Sequence, residues 1–224
     1  MEKALLYAEA ANRERGVPYS TNAVVDIGAN IGWFSVIAAA KGYKTYMFEP
    51  MATNRAIIRH TMCRNPAFAE NMYLFPYGAG ERQVCRLYSD SGNVGDGHVS
   101  CGPTSDAFPN YVYRGAMQLV PIDDVIKEPI FLLKIDTEGY ELKAMKSAKR
   151  LLGDYKLPWI ISEISHMMGG KDQAAEYLEL LWGYGYKVHM SSFEGPVIAS
   201  QKEMQLYMPK INENGIYNIY CSLD

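Results

Sequence analysis

At 224 residues the chain has the length of one domain with room for a full hydrophobic core. Its hydrophobic fraction of 48% and charged fraction of 21% are ordinary for a soluble globular protein, and no apolar run approaches the length of a membrane span. A formal net charge of −3, with no long Lys/Arg run, gives no electrostatic case for a nucleic-acid partner.

Met1 to Arg15 reads as a leading helix, stopped by Gly16 and Pro18. It is polar and charged along its length, without the apolar region of a signal peptide. The run Ala23–Ile27 is a first strand, and Gly28-Ala29-Asn30-Ile31-Gly32 breaks it into a tight loop. Trp33–Lys41 follows as a helix closed by Gly42. Strand, glycine loop and helix is how an α/β domain cradles a nucleotide-like ligand. The spacing is not G-x-G-x-x-G, because Gly28 and Gly32 flank Asn30 and no third glycine opens the helix. That disfavours a pyrophosphate. Asp26 before the loop suits a ligand with a cationic amino-acid end, such as S-adenosylmethionine (SAM). Asn30 tolerates a left-handed backbone or donates to the ligand.

Lys44–Phe48 is the second strand, closed by Glu49-Pro50. An acid at that tip can accept hydrogen bonds from both ribose hydroxyls, a device that NAD enzymes share. Thr53–Arg64 makes the next helix, in which Asn54 reads as a cap or helix-face residue. Asn65-Pro66 stops it. Met72–Tyr77 is a third strand, and the small-residue turn Gly78-Ala79-Gly80 follows. Ala79 there leaves room for an adenine ring, or the segment is simply a turn.

The alternation then pauses. Gln83–Tyr88 and Tyr111–Val120 read as a side hairpin, and Gly92–Pro109 between them shows no apolar period. So long a loop suggests a lid, a substrate loop or disorder. Strands and helices resume with Ile130–Ile135, the helix Glu141–Leu152, Trp159–Ile164, the helix Asp172–Gly183, Tyr186–Ser191 and Ile216–Cys221. This alternation predicts a parallel, doubly wound sheet in a single domain over residues 1–224.

The blocks D-I-G-A-N-I-G-W-F at 26–34 and F-E-P-M-A-T-N at 48–54 resemble the start of FkbM-type SAM-dependent methyltransferases. The resemblance continues at P-I-D-D-V, 121–125, and at L-K-I-D-T-E-G-Y-E, 133–141, and ends near I-I-S-E-I, 160–164. It covers roughly residues 22–195 in the family's order. The resemblance implies a class I methyltransferase, Rossmann-like fold: a three-layer α/β sandwich with seven strands, the last antiparallel. It also implies O-methylation of a sugar or another small-molecule hydroxyl. Asp26, Gly28, Asn30 and Gly32 would then hold the methionine end of SAM, Glu49 its ribose, and Ala79 would border the adenine.

Methyl transfer to an alcohol needs the acceptor positioned in line and its proton removed. Asp136 ends the fourth parallel strand, at the sheet edge where α/β folds place ligands, and is the first candidate base. Contacting SAM or ordering the Thr137-Glu138-Gly139 turn is its alternative. Lys134 lies on the same strand face and can pair with it. Glu138 competes between chemistry and capping. Glu163 closes the next strand in an apolar run, where a charge is costly without a partner. It could face the acceptor, or share a divalent cation with Asp136, although two or three oxygen ligands fall short of a complete set. His166, in the following loop, is a second candidate base. His98 and His60 are weaker, and Trp33 reads as a core residue.

Cys63, Cys85, Cys101 and Cys221 are far apart and form no C-x-x-C pair. Free thiols in a reducing, cytoplasmic setting are the expectation, without a metal site. The four basic residues between Lys143 and Arg150 read as the solvated face of an amphipathic helix. The expected partner is a small-molecule acceptor, with neither nucleic acid nor membrane. The alternatives are a methyltransferase acting on nitrogen or on a macromolecule, a nicotinamide-dependent oxidoreductase, and a non-catalytic SAM-fold binding protein.

Overall fold

Every residue of Ala23–Ile27 (β1) is buried, as a central strand covered on both faces requires. The computed structural model describes residues 2–14, 22–92, 97–102, 111–204 and 216–223, without the side chains of 165–171 and 216. Along the chain, Glu2–Glu14 (α1) precedes β1, and Trp33–Ala40 (α2), Lys44–Phe48 (β2), Ala52–Arg64 (α3), Pro66–Ala69 (α4) and Met72–Phe75 (β3) follow it. Next come Gly78–Ala79 (β4), Gln83–Asp90 (β5), Gly97–Ser100 (β6) and Tyr111–Val120 (β7). Ile122–Val125 (α5), Leu132–Ile135 (β8), Glu141–Met145 (α6), Lys149–Gly153 (α7), Trp159–Ser165 (β9) and His166–Gly183 (α8) resume the alternation. Lys187–Met190 (β10), Val197–Ile198 (β11) and Ile216–Ser222 (β12) complete it.

The main sheet runs β11-β10-β12-β9-β8-β1-β2-β3. β1 pairs in parallel with β2 and β8, whereas β12 is antiparallel to both β9 and β10. The seven expected strands, the last one antiparallel, are present, and the two-residue β11 adds an eighth at the edge. Alternation along the strands divides the core. Val24 and Leu132 turn toward α1 and α2, in a cluster with Leu5, Phe34 and Trp159. Val25, Ile27, Leu133 and Ile135 turn the other way, toward Leu151, Leu178 and Leu181. The Trp159 indole N–H donates to Asn12 Oδ1 at 3.1 Å and ties α1 to the sheet.

Five expectations are corrected by tertiary contacts. The helix expected over Glu141–Leu152 is two helices, because the Asp123 carboxylate accepts the N–H of Arg150 at 2.8 Å and caps α7 from another element. The side hairpin is a four-stranded sheet, ordered β4-β7-β5-β6. Gly78–Ala79, read as a turn, pairs in parallel with Leu119–Val120. A Cβ on Gly78 would stand 2.3 Å from Met117 Cε, so a larger residue would require the Met117 and Leu119 side chains to shift. Within the span read as a patternless loop, β6 pairs antiparallel with β5. Residues 93–96 and 103–109 of that loop lie outside the described residues.

The fifth correction concerns the thiols. Cys85 and Cys101 form a disulfide across a sequence separation of 16. The register that sets Arg86 opposite Ser100 brings the two cysteines to the next position of the ladder, which no local spacing announces. Cys63 and Cys221 are free, as expected, but the Cys85–Cys101 disulfide overturns the expectation of four free thiols in a reducing compartment. No described helix is long and apolar enough to cross a membrane.

Candidate functional site

The second sheet roofs the C-terminal edge of the main sheet, and a cleft with about 700 Å³ of open space lies between them. Its floor is the loop after β1, the tip of β2 and the loop after β8; Leu87, Val99, Met117 and Leu119 form the roof. An apolar lining and a few converging polar groups are the attributes of a small-molecule site.

The loop after β1 is built from left-handed residues. Gly28, Asn30 and Gly32 have φ of 73°, 53° and 83°. At Gly28 a Cβ would fall 1.8 Å from the Asp136 carbonyl oxygen, so glycine is required there by the neighbouring β8 loop. Asn30 lines the cleft with Gly28, and its backbone N–H donates to Glu49 Oε2 at 2.7 Å. Gly32 precedes α2 as its N-cap residue.

Glu49 is buried at the cleft wall, and its other oxygen, Oε1, accepts the Met51 N–H at 2.8 Å. Burial pushes its carboxyl up to about 7, against the two backbone donors and with the help of the Asp26 charge. Both oxygens are therefore aimed by the backbone while keeping lone pairs for a ligand. The Arg55 guanidinium donates to the carbonyls of Glu49 and Pro50 and fixes this turn.

Asp26 stands behind the wall and is fully buried. Ser35 Oγ donates to its Oδ2 at 2.6 Å, and Lys134 Nζ lies 3.3 Å from its Oδ1. Lys134 also donates to the Gly28 carbonyl at 2.8 Å and lies 3.6 Å from Asp136 Oδ2. Burial alone would lower the Lys134 ammonium, but the Asp26 and Asp136 carboxylates together hold it above its ordinary value. One cation thus joins β1, the glycine loop and the cleft floor.

Asp136 lines the cleft with its side chain 40% exposed. Glu138, also at the cleft, has a φ of 53°, an unusual backbone state for a glutamate. Glu141 stabilises it from below: Oε1 accepts the N–H of Thr137 at 2.8 Å, the N–H of Gly139 at 3.2 Å and the Thr137 hydroxyl at 3.0 Å. Glu163 is buried, and its Oε1 has no hydrogen-bond partner among the described residues. Burial, then the nearby carboxylates of Asp136, Glu138 and Glu141, push its carboxyl up to about 9. At neutral pH Glu163 is therefore a neutral acid beside Asp136.

The structure brings Gly28, Asn30, Glu49, Ala79, Asp136 and Glu138 to one cleft. Asp26, Gly32 and Glu163 lie outside its lining. His166 begins α8 and is not in a loop, and its side chain lies outside the described residues, as do those of Met167 and Met168. Asn54, read as a cap or helix-face residue, is buried and lines the cleft beside Glu49. Trp33, read as core, is 67% exposed. Sequence reading also passed over Tyr140 and Met51 as lining residues, because nothing in their local pattern distinguishes a wall from ordinary core. Among the described residues no three His, Cys, Asp or Glu side chains gather closely enough to hold a metal ion.

A family model described as the methyltransferase FkbM domain matches residues 26–188. Among solved structures, the chain is similar to methyltransferase FkbM from Methylobacillus flagellatus KT, at 20% identity and a TM-score of 0.55. That match covers 92% of this chain and 45% of the other, so the chain spans less than half of that relative's length. It is also similar to a Streptococcus mutans protein described as a methyltransferase and solved in complex with SAH. There the identity is 12% and the TM-score 0.50, over 89% of this chain and 87% of the other. At these identities the structural likeness concerns the fold alone. No curated protein matches the sequence.

Proposed function

The chain belongs to the FkbM methyltransferase family, and from that premise we propose that it methylates a hydroxyl of a small molecule, with SAM as donor. The observation that carries the cofactor assignment is Glu49: a buried carboxylate at the tip of β2, lining the cleft, with each oxygen aimed by a backbone N–H. That arrangement fits a ribose, whose two hydroxyls donate to one carboxylate. Ala79 and Gly78, small and buried on the opposite wall, leave space for a flat ring. When bound, SAM supplies an electrophilic methyl group on a sulfonium.

The chain's residues supply the rest. Asp136, at the floor and partly exposed, takes the proton of the acceptor hydroxyl at its carboxylate oxygen. Lys134, 3.6 Å away, fixes the direction of that carboxylate. Glu163, holding its own proton, avoids a second negative charge beside Asp136. Asp26 acts through Lys134 and Ser35 as a positioning residue, since its carboxylate is consumed inside the protein. The apolar roof of Leu87, Met117 and Leu119 keeps water from the transfer.

Calorimetric titration with SAM, S-adenosylhomocysteine (SAH) and NAD tests the cofactor assignment. Binding of both adenosyl ligands but not NAD, weakened at least tenfold by Glu49→Ala, is the expected result, about 1.4 kcal/mol or more. Affinity for SAH should also fall several-fold between about pH 8 and pH 6, as Glu49 takes up a proton near 7. No binding of any of the three overturns the proposal.

A further inference from the structure

The cleft does not end at Tyr140. Val99 and Tyr140 also line a second groove, which continues past Gln83, Cys101, Gly102, Lys143 and Lys146 with about 910 Å³ of open space. The Tyr140 phenol stands between the two spaces, 3.5 Å from the Gln83 amide nitrogen and 3.6 Å from Cys101 Sγ. An acceptor whose hydroxyl lies at Asp136 and which is larger than one ring can extend along this groove.

The charges in the groove are unequal in their commitments. Lys146 is paired with Glu176 at 2.5 Å. Lys143, on α6 two residues beyond the Glu141 that fixes the β8 loop, holds its ammonium 4.8 Å from the centre of the Tyr140 ring. Among the described residues no carboxylate lies within 4 Å of it. Glu81, on the same lining, is beyond ion-pair distance of both lysines. Among the described residues the groove therefore presents one cation without a carboxylate partner, held over the aromatic ring that also lines the cleft. The basic residues here look like a solvated face in the sequence, and Lys143 is exposed while it also lines the groove.

We propose that this groove seats an oxyanion substituent of the methyl acceptor, a phosphate or a carboxylate, with Lys143 as its cation and Gln83 as a neighbouring donor. The assignment rests on reading the main cleft as the methyl-transfer site. An ammonium binds either anion as a point charge, so the lysine alone does not choose between them. Because Lys143 is exposed, its contribution is modest and sensitive to salt.

The experiment titrates the SAH-loaded protein with inorganic pyrophosphate and, separately, with succinate, at low and at high salt. The expected result is binding of one or both, weakened by salt and reduced about five- to tenfold in Lys143→Ala. Lys143→Arg should restore it, and Lys149→Ala, on α7 outside the groove, should leave it unchanged. The stronger of the two probes identifies the anion class. Absence of binding by both, or equal binding in wild type and Lys143→Ala, overturns the groove assignment while SAH affinity stays intact. A protein that fails to bind SAH at all instead loses the methyl-transfer reading, and with it the assignment of the groove to an acceptor.

Discussion

Asp26 and Lys134 sit opposite each other in the parallel register of β1 and β8, with Nζ 3.3 Å from Oδ1 and neither side chain more than 9% exposed. The other residues of β1 and β8 are aliphatic, so this ion pair is a costly feature held where three segments of the site converge. Its second hydrogen-bond acceptor, the Gly28 carbonyl, is the first turn of the glycine loop.

Removing the cation alone leaves Asp26 charged and buried. Lys134→Met should therefore cost about 3–5 kcal/mol of unfolding free energy. The double variant Asp26→Asn/Lys134→Met should recover most of that loss, since no buried charge remains. Urea denaturation of the four proteins in the cycle checks this, and a single-variant loss below about 1 kcal/mol would show that the pair is not structurally coupled.

Asp136→Asn keeps the shape of the side chain but cannot accept the acceptor's proton. Turnover should fall about 10²- to 10⁴-fold while SAH affinity changes less than about threefold. Methyl-transfer kinetics beside SAH titration separate the two effects. Turnover at the wild-type level would remove Asp136 from the role of base.

Glu163 links the site to pH. Its carboxyl is raised in the folded protein, so the folded state holds this proton more tightly than the unfolded chain does. The contribution to stability is complete below the ordinary value of 4.5 and is lost as pH rises through about 9. Glu163→Gln retains the neutral form, so its melting temperature should exceed that of wild type by a few degrees near pH 9 and lose that advantage near pH 4. Parallel melting curves across this range, with a constant difference, would contradict the assignment.

The disulfide between Cys85 and Cys101 holds the end of β6, and with it Gly97 and Val99, over the cleft. Closing a loop of this size restricts the unfolded chain by roughly 3 kcal/mol. Cys85→Ser should lower the melting temperature by about 6–12 °C and weaken SAH binding. A reductant should produce the same changes in wild type and none in the variant. Peptide mapping under non-reducing conditions reads the pairing directly.

The strands that form the parallel sheet were legible because each is a short apolar run bounded by glycine, proline or an acid. β1 and β2 match their expected bounds residue for residue. The acids at the strand ends, Glu49 and Asp136, were legible for the same reason, since a charge that closes an apolar strand has few places to be. The second sheet was not. Gly78–Ala79 and Gly97–Ser100 are too short and too polar to carry a period, and they become strands only because β5 and β7 offer backbone partners.

Chain order and hydrophobic period thus determined the doubly wound core, the glycine loop and the edge of the sheet where the site lies. The tertiary structure alone decided the rest. It decided that Gly28 yields to the Asp136 carbonyl, that Asp26 faces Lys134 and not the cleft, and that two cysteines meet across a ladder. It also turned Asn54 and Tyr140 inward to the cleft and placed Lys143 on the lining of the groove beyond it. The physical reason is range: periodicity and turn chemistry act between near neighbours in sequence. Strand register, side-chain burial and charge pairing act between residues that meet only once the sheet has closed.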